Sequence, residues 1–204
     1  MKPQSLRDIK REATAKALAN AAFELAIERG MDEFVVEDVV QRAGYSRRTF
    51  ANHFSCKEEA IASAVISFSS TEEAEFEMLD KPENITPLNA LQQWLKLQLT
   101  ANLLWKLREI ISLSKRHPSL EPYILSMFHG LQKRAQETLS SYFEGRYSEE
   151  YTYLLVGALY GALLPVLDGS LTVLLPGDSA EGHPEATTFD QYLAKTFSYL
   201  RSGF

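Results

Sequence analysis

The hydrophobic and polar positions near the N-terminus repeat with the period of an α-helix. From Leu6 to Arg29 apolar side chains recur at spacings of three and four, and Gly30 follows as a natural C-cap. A second periodic stretch covers residues 36–43, carries acids in its first turn and stops at Gly44. The pattern therefore predicts one long helix followed by a helix of two turns.

A third short helix is predicted over residues 45–54. The Ser46 hydroxyl can cap its first turn, and Phe50 and Phe54 lie four residues apart, so they share one buried face. Two short helices joined at a glycine and supported by a longer helix are the minimum for placing a helix end in a DNA major groove.

Residues that start or stop helices also divide the rest of the chain into predicted helices. The predicted helices run from a capping box at 55–58 to about Glu77, from Leu88 to Arg116 as one helix or two, from an N-cap at Ser119 to about Phe143, from Ser148 to Leu174, and from Thr187 or Thr188 to Leu200. Residues 81–84 are predicted to be a linker and residues 176–185 a surface loop. Because no strand pair or internal repeat is indicated, the predicted fold class is all-α.

The composition is that of an ordinary globular protein. Of 204 residues, 45% are hydrophobic and 24% charged, which is enough apolar surface for a core. The one cysteine, Cys56, cannot form an internal disulfide, and the charged N-terminus does not resemble a signal peptide. The apolar stretch from Leu154 to Leu175 is broken by glycines, Pro165 and Asp168, so we expect a cytoplasmic protein without a membrane span.

The net charge of −6 argues against a protein that coats nucleic acid indiscriminately. Its distribution is uneven, because residues 1–54 contain nine Lys and Arg against eight acidic residues. This asymmetry fits a DNA-binding segment joined to an acidic body.

The polar face of the third helix carries side chains that suit DNA. Arginine can bind guanine in bidentate fashion, asparagine can pair with adenine, and the threonine methyl can contact the methyl of thymine. A solvated helix face is the alternative interpretation. The residues opposite the two phenylalanines are Arg47, Arg48, Thr49, Asn52 and His53.

In order and spacing, the segment from Arg11 to Val65 resembles the tetracycline-repressor (TetR) family of bacterial regulators. Each matching element is weak alone, but their joint register extends over more than forty residues. The matching elements are Ala21-Ala22-Phe23-Glu24-Leu25, Glu28-Arg29-Gly30, Val36-Glu37-Asp38-Val39, Ala43-Gly44-Tyr45-Ser46, Thr49-Phe50, His53-Phe54 and Ser55-Cys56-Lys57-Glu58-Glu59.

The resemblance implies a helix-turn-helix DNA-binding domain over residues 1–58 and a helical domain over residues 59–204 that binds an effector and dimerises. It also implies repression of a palindromic operator, relieved when a small molecule changes the angle of the helix that begins at Cys56. The residues expected to contact DNA are Tyr45, Ser46, Arg47, Arg48, Thr49, Asn52, His53 and Lys57, the last at a phosphate.

Two positions depart from the family pattern. Ala51 stands where the family usually has an aromatic residue, most often tyrosine, which removes a phosphate contact. Val35 stands where Ser or Thr commonly caps the second helix, and the loss of that cap costs roughly 1 kcal/mol.

A homodimer is expected, because two DNA-binding segments about 34 to 36 Å apart provide specificity that one cannot. Small residues four apart permit close approach of helices in the segment from Tyr151 to Leu174, although a core helix would explain them equally. The predicted interface residues are Gly157, Tyr160, Gly161 and Leu164.

The sequence says little about the effector. Large side chains on the helices that would surround a pocket are candidate ligand contacts, with plain core as the alternative: Trp94, Trp105, Tyr123, Met127 and Phe128. His117 and His129 do not stand at metal-ligand spacing, and no catalytic triad or phosphate loop is present, so we expect no metal, cofactor or enzymatic activity. The alternative function is a helical protein-interaction module without sequence-specific DNA binding.

Overall fold

The structure, a computed structural model, describes residues 5–66, 85–179 and 185–203. The fold is all-α, as predicted. The helices are α1 (Leu6–Arg29), α2 (Val36–Ala43), α3 (Arg47–Ala51), α4 (Lys57–Ile66), α5 (Pro87–Gln98), α6 (Ala101–Arg116), α7 (Glu121–Tyr142), α8 (Glu149–Leu167) and α9 (Phe189–Ser202), with 3-10 turns at Met31–Glu33 and Pro118–Leu120 and two short strands, β1 (Val173–Leu174) and β2 (Thr187–Thr188).

The bounds of α1 and α2 agree with the sequence pattern. Gly30 and Gly44 follow them with φ of 88° and 74°, in the left-handed region that favours glycine. The stretch from Leu88 to Arg116 is two helices, and the Thr100 hydroxyl caps the second by accepting from the Leu103 amide at 3.3 Å. Ser148 and Thr188 cap α8 and α9, as expected.

Three predictions about the C-terminal half were wrong. Ser119 lies inside the 3-10 turn at Pro118–Leu120 and is not the N-cap of α7. The helix expected to reach Leu174 ends at Leu167, because Asp168 caps it and Gly169 has a φ of 78°. Residues 173–174 instead form β1, which pairs in parallel with β2, so a strand pair exists where none was predicted. The linker at 81–84 and the expected end near Glu77 lie outside the described residues.

The described chain divides into two compact units. The first consists of residues 5–66 together with Ser112–Met127, and the second of residues 85–111, 128–179 and 185–203. The proposed domain boundary between residues 58 and 59 stays a prediction.

The core of the first unit is formed mainly where α1 packs against α4. Leu18 and Phe23 of α1 and Ile61 of α4 are almost completely buried. Phe50 and Phe54 are also buried, and their ring centroids lie 5.6 Å apart. This packing fixes the short helices α2 and α3 on a larger apolar base.

The start of α4 is capped one residue later than the predicted box. The Cys56 thiol accepts a hydrogen bond from the Glu59 amide at 3.4 Å, and the Glu59 carboxylate accepts from the Ser55 amide and hydroxyl, each at 2.6 Å. The Tyr123 hydroxyl also shares a hydrogen bond with Cys56, which raises the pKa of Tyr123. Leu120 is fully buried in the turn that packs against α4.

The second unit is held by polar links as well as apolar packing. The buried Gln136 amide of α7 donates to Ser140 at 3.0 Å and to Thr152 of α8 at 2.7 Å. Arg108 binds Asp178 through two hydrogen bonds of 2.7 and 2.9 Å, which ties α6 to the loop after β1. The paired guanidinium lowers the pKa of Asp178, so this bond persists through the neutral range.

By length and composition α8 is apolar enough to cross a membrane, contrary to the expectation from its glycines and proline. The core helix of a water-soluble protein passes the same test, and Pro165 and two glycines lie within α8. This helix alone is weak support for a membrane span.

We predict that Gly44→Ala lowers the free energy of unfolding by roughly 1 to 2 kcal/mol, because alanine at a φ of 74° is strained. Urea unfolding followed by circular dichroism measures the change. The matched control is Gly130→Ala in α7, where a methyl group meets no atom within 4 Å and helix propensity favours alanine. Equal effects in the two variants would contradict the strain argument.

Candidate nucleic-acid interface

The helix α3 has five residues, Arg47–Ala51, and its ends are fixed by neighbouring groups. The Ser46 hydroxyl accepts from the Thr49 amide at 3.1 Å and lies 2.9 Å from the Thr49 hydroxyl. Phe50, which belongs to α3, is buried, and Phe54, which follows the end of α3, is buried as well. Such a short helix has no independent stability, so its orientation comes from these two rings.

The opposite side of α3 faces solvent, where polar groups can contact a ligand. Arg48 is exposed and forms no ion pair within 4.0 Å among the residues that the structure describes. Arg47 is also exposed, but its guanidinium lies 2.7 Å from the Glu37 carboxylate of α2. Asn52 is exposed at the C-cap, and Tyr45 is 38% exposed in the turn before α3. The predicted DNA contacts from Tyr45 to Asn52 therefore share one accessible surface.

Lys57 has internal partners. Its ammonium donates to the carbonyl oxygens of Met31 at 2.5 Å and Phe34 at 3.0 Å, and it lies 4.8 Å from the centre of the Phe34 ring. These contacts tie the start of α4 to the segment before α2. The expected phosphate contact of Lys57 stays a prediction, and it would compete with the three internal contacts.

His53 lies at the end of the same surface, beside the first half of α1. Burial, and then the positive charge of Arg11, lower the pKa of His53. A groove of about 640 Å³ joins His53 and Asn52 to three cations of α1, Arg7, Lys10 and Arg11. These cations were not among the DNA contacts predicted from the sequence, although their spacing of three and four residues places them on one helix face.

The two departures from the family pattern have local consequences. Ala51 is exposed, so its methyl group leaves the position of the missing aromatic side chain open to solvent. Val35 supplies no side-chain cap to α2, but the Asp38 carboxylate accepts from the Val35 amide at 2.9 Å. Half of the usual capping arrangement therefore remains.

The segment just described is similar to a known protein family. A family model described as bacterial regulatory proteins of the tetR family matches residues 18–64. Over this segment the chain is similar to the TetR family. Over 53 residues it is 43% identical to an uncharacterized HTH-type transcriptional regulator, YwcC, from Bacillus subtilis. That match covers 26% of this chain and 24% of the relative, so it spans about a quarter of the relative's length.

Solved structures extend the comparison of the fold to nearly the whole chain. A TetR-family transcriptional regulator from Syntrophomonas wolfei superposes with a TM-score of 0.56 at 11% identity, over 94% of each chain. One from Mesorhizobium loti superposes with a TM-score of 0.51 at 19% identity, over 95% of this chain and 96% of that one. At these identities the likeness shows a shared fold alone.

The residues predicted for the dimer interface lie on α8 in the second unit. Gly161 is exposed, Leu164 is 38% exposed, and Gly157 and Tyr160 are half-buried. Large apolar side chains near the start of the same helix are more exposed, with Tyr153 at 62% and Leu154 at 73%. This side of α8 is an uncovered apolar surface within the described chain.

The residues predicted to bind an effector are divided between the units. Tyr123 and the buried Met127 belong to the first, where Tyr123 contacts Cys56. Trp94, Trp105 and Phe128 belong to the second. No single unit therefore brings all five together. Among the described residues, no group of three His, Cys, Asp or Glu is placed to hold a metal ion.

We predict that Lys57→Met lowers the free energy of unfolding by about 2 kcal/mol, because two carbonyl oxygens lose a charged donor. Urea unfolding provides the measurement. Arg48→Met is the control, since it removes the same charge from an exposed site and should change stability by less than about 0.5 kcal/mol. If Lys57→Met leaves stability unchanged, Lys57 has no structural role.

Proposed function

We propose that this protein is a homodimeric transcription regulator that binds a palindromic operator through α3. One observation carries the proposal: the polar side of α3 is exposed while Phe50 and Phe54 fix the helix from behind. Arg48 is accessible for base or phosphate contacts, and Asn52 lies at the helix end that follows it. The similarity of residues 18–64 to the TetR family supports the same function.

The contribution of α3 can be measured by fluorescence anisotropy with a labelled duplex from DNA upstream of the gene for this chain. We expect Arg48→Ala to weaken binding at least about tenfold, because each protomer loses a base or phosphate contact. Lys96→Ala, an exposed cation of α5, is the charge-matched control and should bind as the wild type does. Unchanged binding by both Arg47→Ala and Arg48→Ala would contradict the proposal and favour the protein-interaction module.

The ion pair between Arg47 and Glu37 suggests a second variant for the same binding experiment. Its expected effect on duplex affinity is opposite to that of Arg48→Ala. A guanidinium held at 2.7 Å by a carboxylate must leave it to contact DNA, and the carboxylate itself repels phosphates. Glu37→Gln is therefore expected to tighten duplex binding roughly two- to tenfold. Weaker binding by Glu37→Gln would mean that the pair positions Arg47 for its contact.

The proposed dimer forms through α8. Its exposed surface includes Leu154, Gly161 and Leu164, which form an apolar strip that a second copy can cover. A Cβ at Gly161 would meet no atom within 4 Å inside the chain, so there is room there for a partner helix.

The dimer is tested with Gly161→Glu. Within one protomer the new side chain extends into open space, but in the proposed interface it buries an unpaired carboxylate. We expect dimer dissociation to become at least about a hundredfold more favourable, measured by light scattering over a range of concentrations. Gly130→Glu, at another open glycine, is the control. A wild type that is monomeric at micromolar concentration would contradict the proposal.

We further propose that the protein is a cytoplasmic repressor, that it is not an enzyme, and that a small apolar or amphipathic molecule releases it from DNA. The aromatic side chains Trp94, Trp105 and Phe128 of the second unit are the candidate ligand contacts there. Titration of the protein–duplex complex with such molecules tests release, and reporter transcription with and without the protein tests repression.

A further inference from the structure

A basic groove of about 640 Å³ runs along the first half of α1 beside the end of α3. Its walls come from two parts of the chain that are about forty residues apart. One wall consists of residues 5–14, and the other of Asn52 and His53, which directly follow α3. A groove of this volume, open to solvent, can admit a phosphate group of a nucleic-acid backbone.

Positive charge dominates the groove. Arg7, Lys10 and Arg11 line it and are exposed, and none of them forms an ion pair within 4.0 Å among the described residues. The one carboxylate in the groove, that of Asp8, accepts a hydrogen bond from the Ser5 hydroxyl at 2.7 Å. The groove therefore has more cations than its own acid can neutralise.

Neutral hydrogen-bonding groups complete the lining. The amide of Asn52 and the imidazole of His53 can each donate to a phosphate oxygen. The Thr14 hydroxyl donates its proton to the Lys10 carbonyl at 2.9 Å, so it is not available to donate to a phosphate oxygen. Arginine and lysine with neutral donors are the usual set for backbone phosphates.

We propose that this groove binds one backbone phosphate of the duplex that α3 contacts, and that His53 takes up a proton as the phosphate binds. The proposal rests on the proposed DNA-binding function. It adds Arg7, Lys10 and Arg11 to the contacts of α3 and makes duplex affinity depend on pH.

The proton uptake follows from the surroundings of His53. The charged groups that line its groove are Arg7, Lys10, Arg11 and the Asp8 carboxylate, all on α1. Burial and Arg11 lower the pKa of His53, so its imidazole is mostly neutral at pH 7 in the free protein. A phosphate in the groove favours the charged imidazolium. Because the complex then binds more protons than the free protein, affinity rises as pH falls through the pKa of His53 in the complex.

The phosphate contact is tested by the salt dependence of binding. The triple variant Arg7→Ala/Lys10→Ala/Arg11→Ala is compared with wild type and with Lys96→Ala on two labelled duplexes, the upstream sequence and a shuffled sequence of equal length. We expect the triple variant to weaken binding to both duplexes by the same factor. The slope of log affinity against log salt should fall by about one per protomer, and thus about two per dimer.

The outcomes separate this proposal from the proposed function. If Arg48→Ala weakens binding but the triple variant keeps the wild-type salt slope, the groove does not bind a phosphate and α3 alone carries the function. If the wild type binds neither duplex, both proposals fail. Should the triple variant not fold, Arg11→Gln alone is expected to lower the slope in the same direction by a fraction of that amount, because Arg7 and Lys10 remain in the groove.

The proton uptake by His53 is tested by measuring duplex binding between about pH 8 and pH 6 with the wild type and with His53→Gln. We expect the affinity of the wild type for the shuffled duplex to rise several-fold more than that of His53→Gln as the pH falls. NMR titration of the free protein should show a higher pKa for His53 in Arg11→Gln than in the wild type. Equal pH slopes for the wild type and His53→Gln would overturn the proton uptake.

Discussion

The structure of the DNA-binding segment depends on the burial of two phenylalanine rings. With five residues, α3 has too few internal hydrogen bonds to be stable alone. Phe50 and Phe54 contribute roughly 2 kcal/mol each by burial, and they also fix which side of the helix faces outward. The position of Arg48, the exposure of Asn52 and the second wall of the basic groove all follow from that orientation.

The proposed DNA binding around α3 depends on which cations are already paired with carboxylates of the same unit. Arg42 pairs with Glu28 at 2.6 Å, and Arg47 pairs with Glu37 at 2.7 Å, so part of the positive charge is neutralised within the unit. Arg48 and the three cations of the groove form no such pair among the described residues. An acidic chain can therefore present a local basic surface, and Glu37 moderates its strength.

Elements that depend on local signals could be predicted from the sequence, while contacts between residues distant in the chain could not. The bounds of α1 and α2 could be predicted because apolar periodicity and a terminal glycine act within a few residues. The partners of Lys57 lie 23 and 26 residues away, and Tyr123 reaches Cys56 across 67 positions, so no local pattern indicates them. The end of α8 was missed because the apolar run continues past Asp168 into β1.

The central claim is that α3 presents its polar side to DNA while its apolar side stays packed. Hydrogen exchange of backbone amides, measured by mass spectrometry with and without the upstream duplex, tests this claim most directly. We expect the added protection to be concentrated in residues 44–57 and in the first turns of α1, with little change in the buried parts of α1 and α4. Protection that leaves residues 44–57 unchanged while a different surface becomes protected would contradict it.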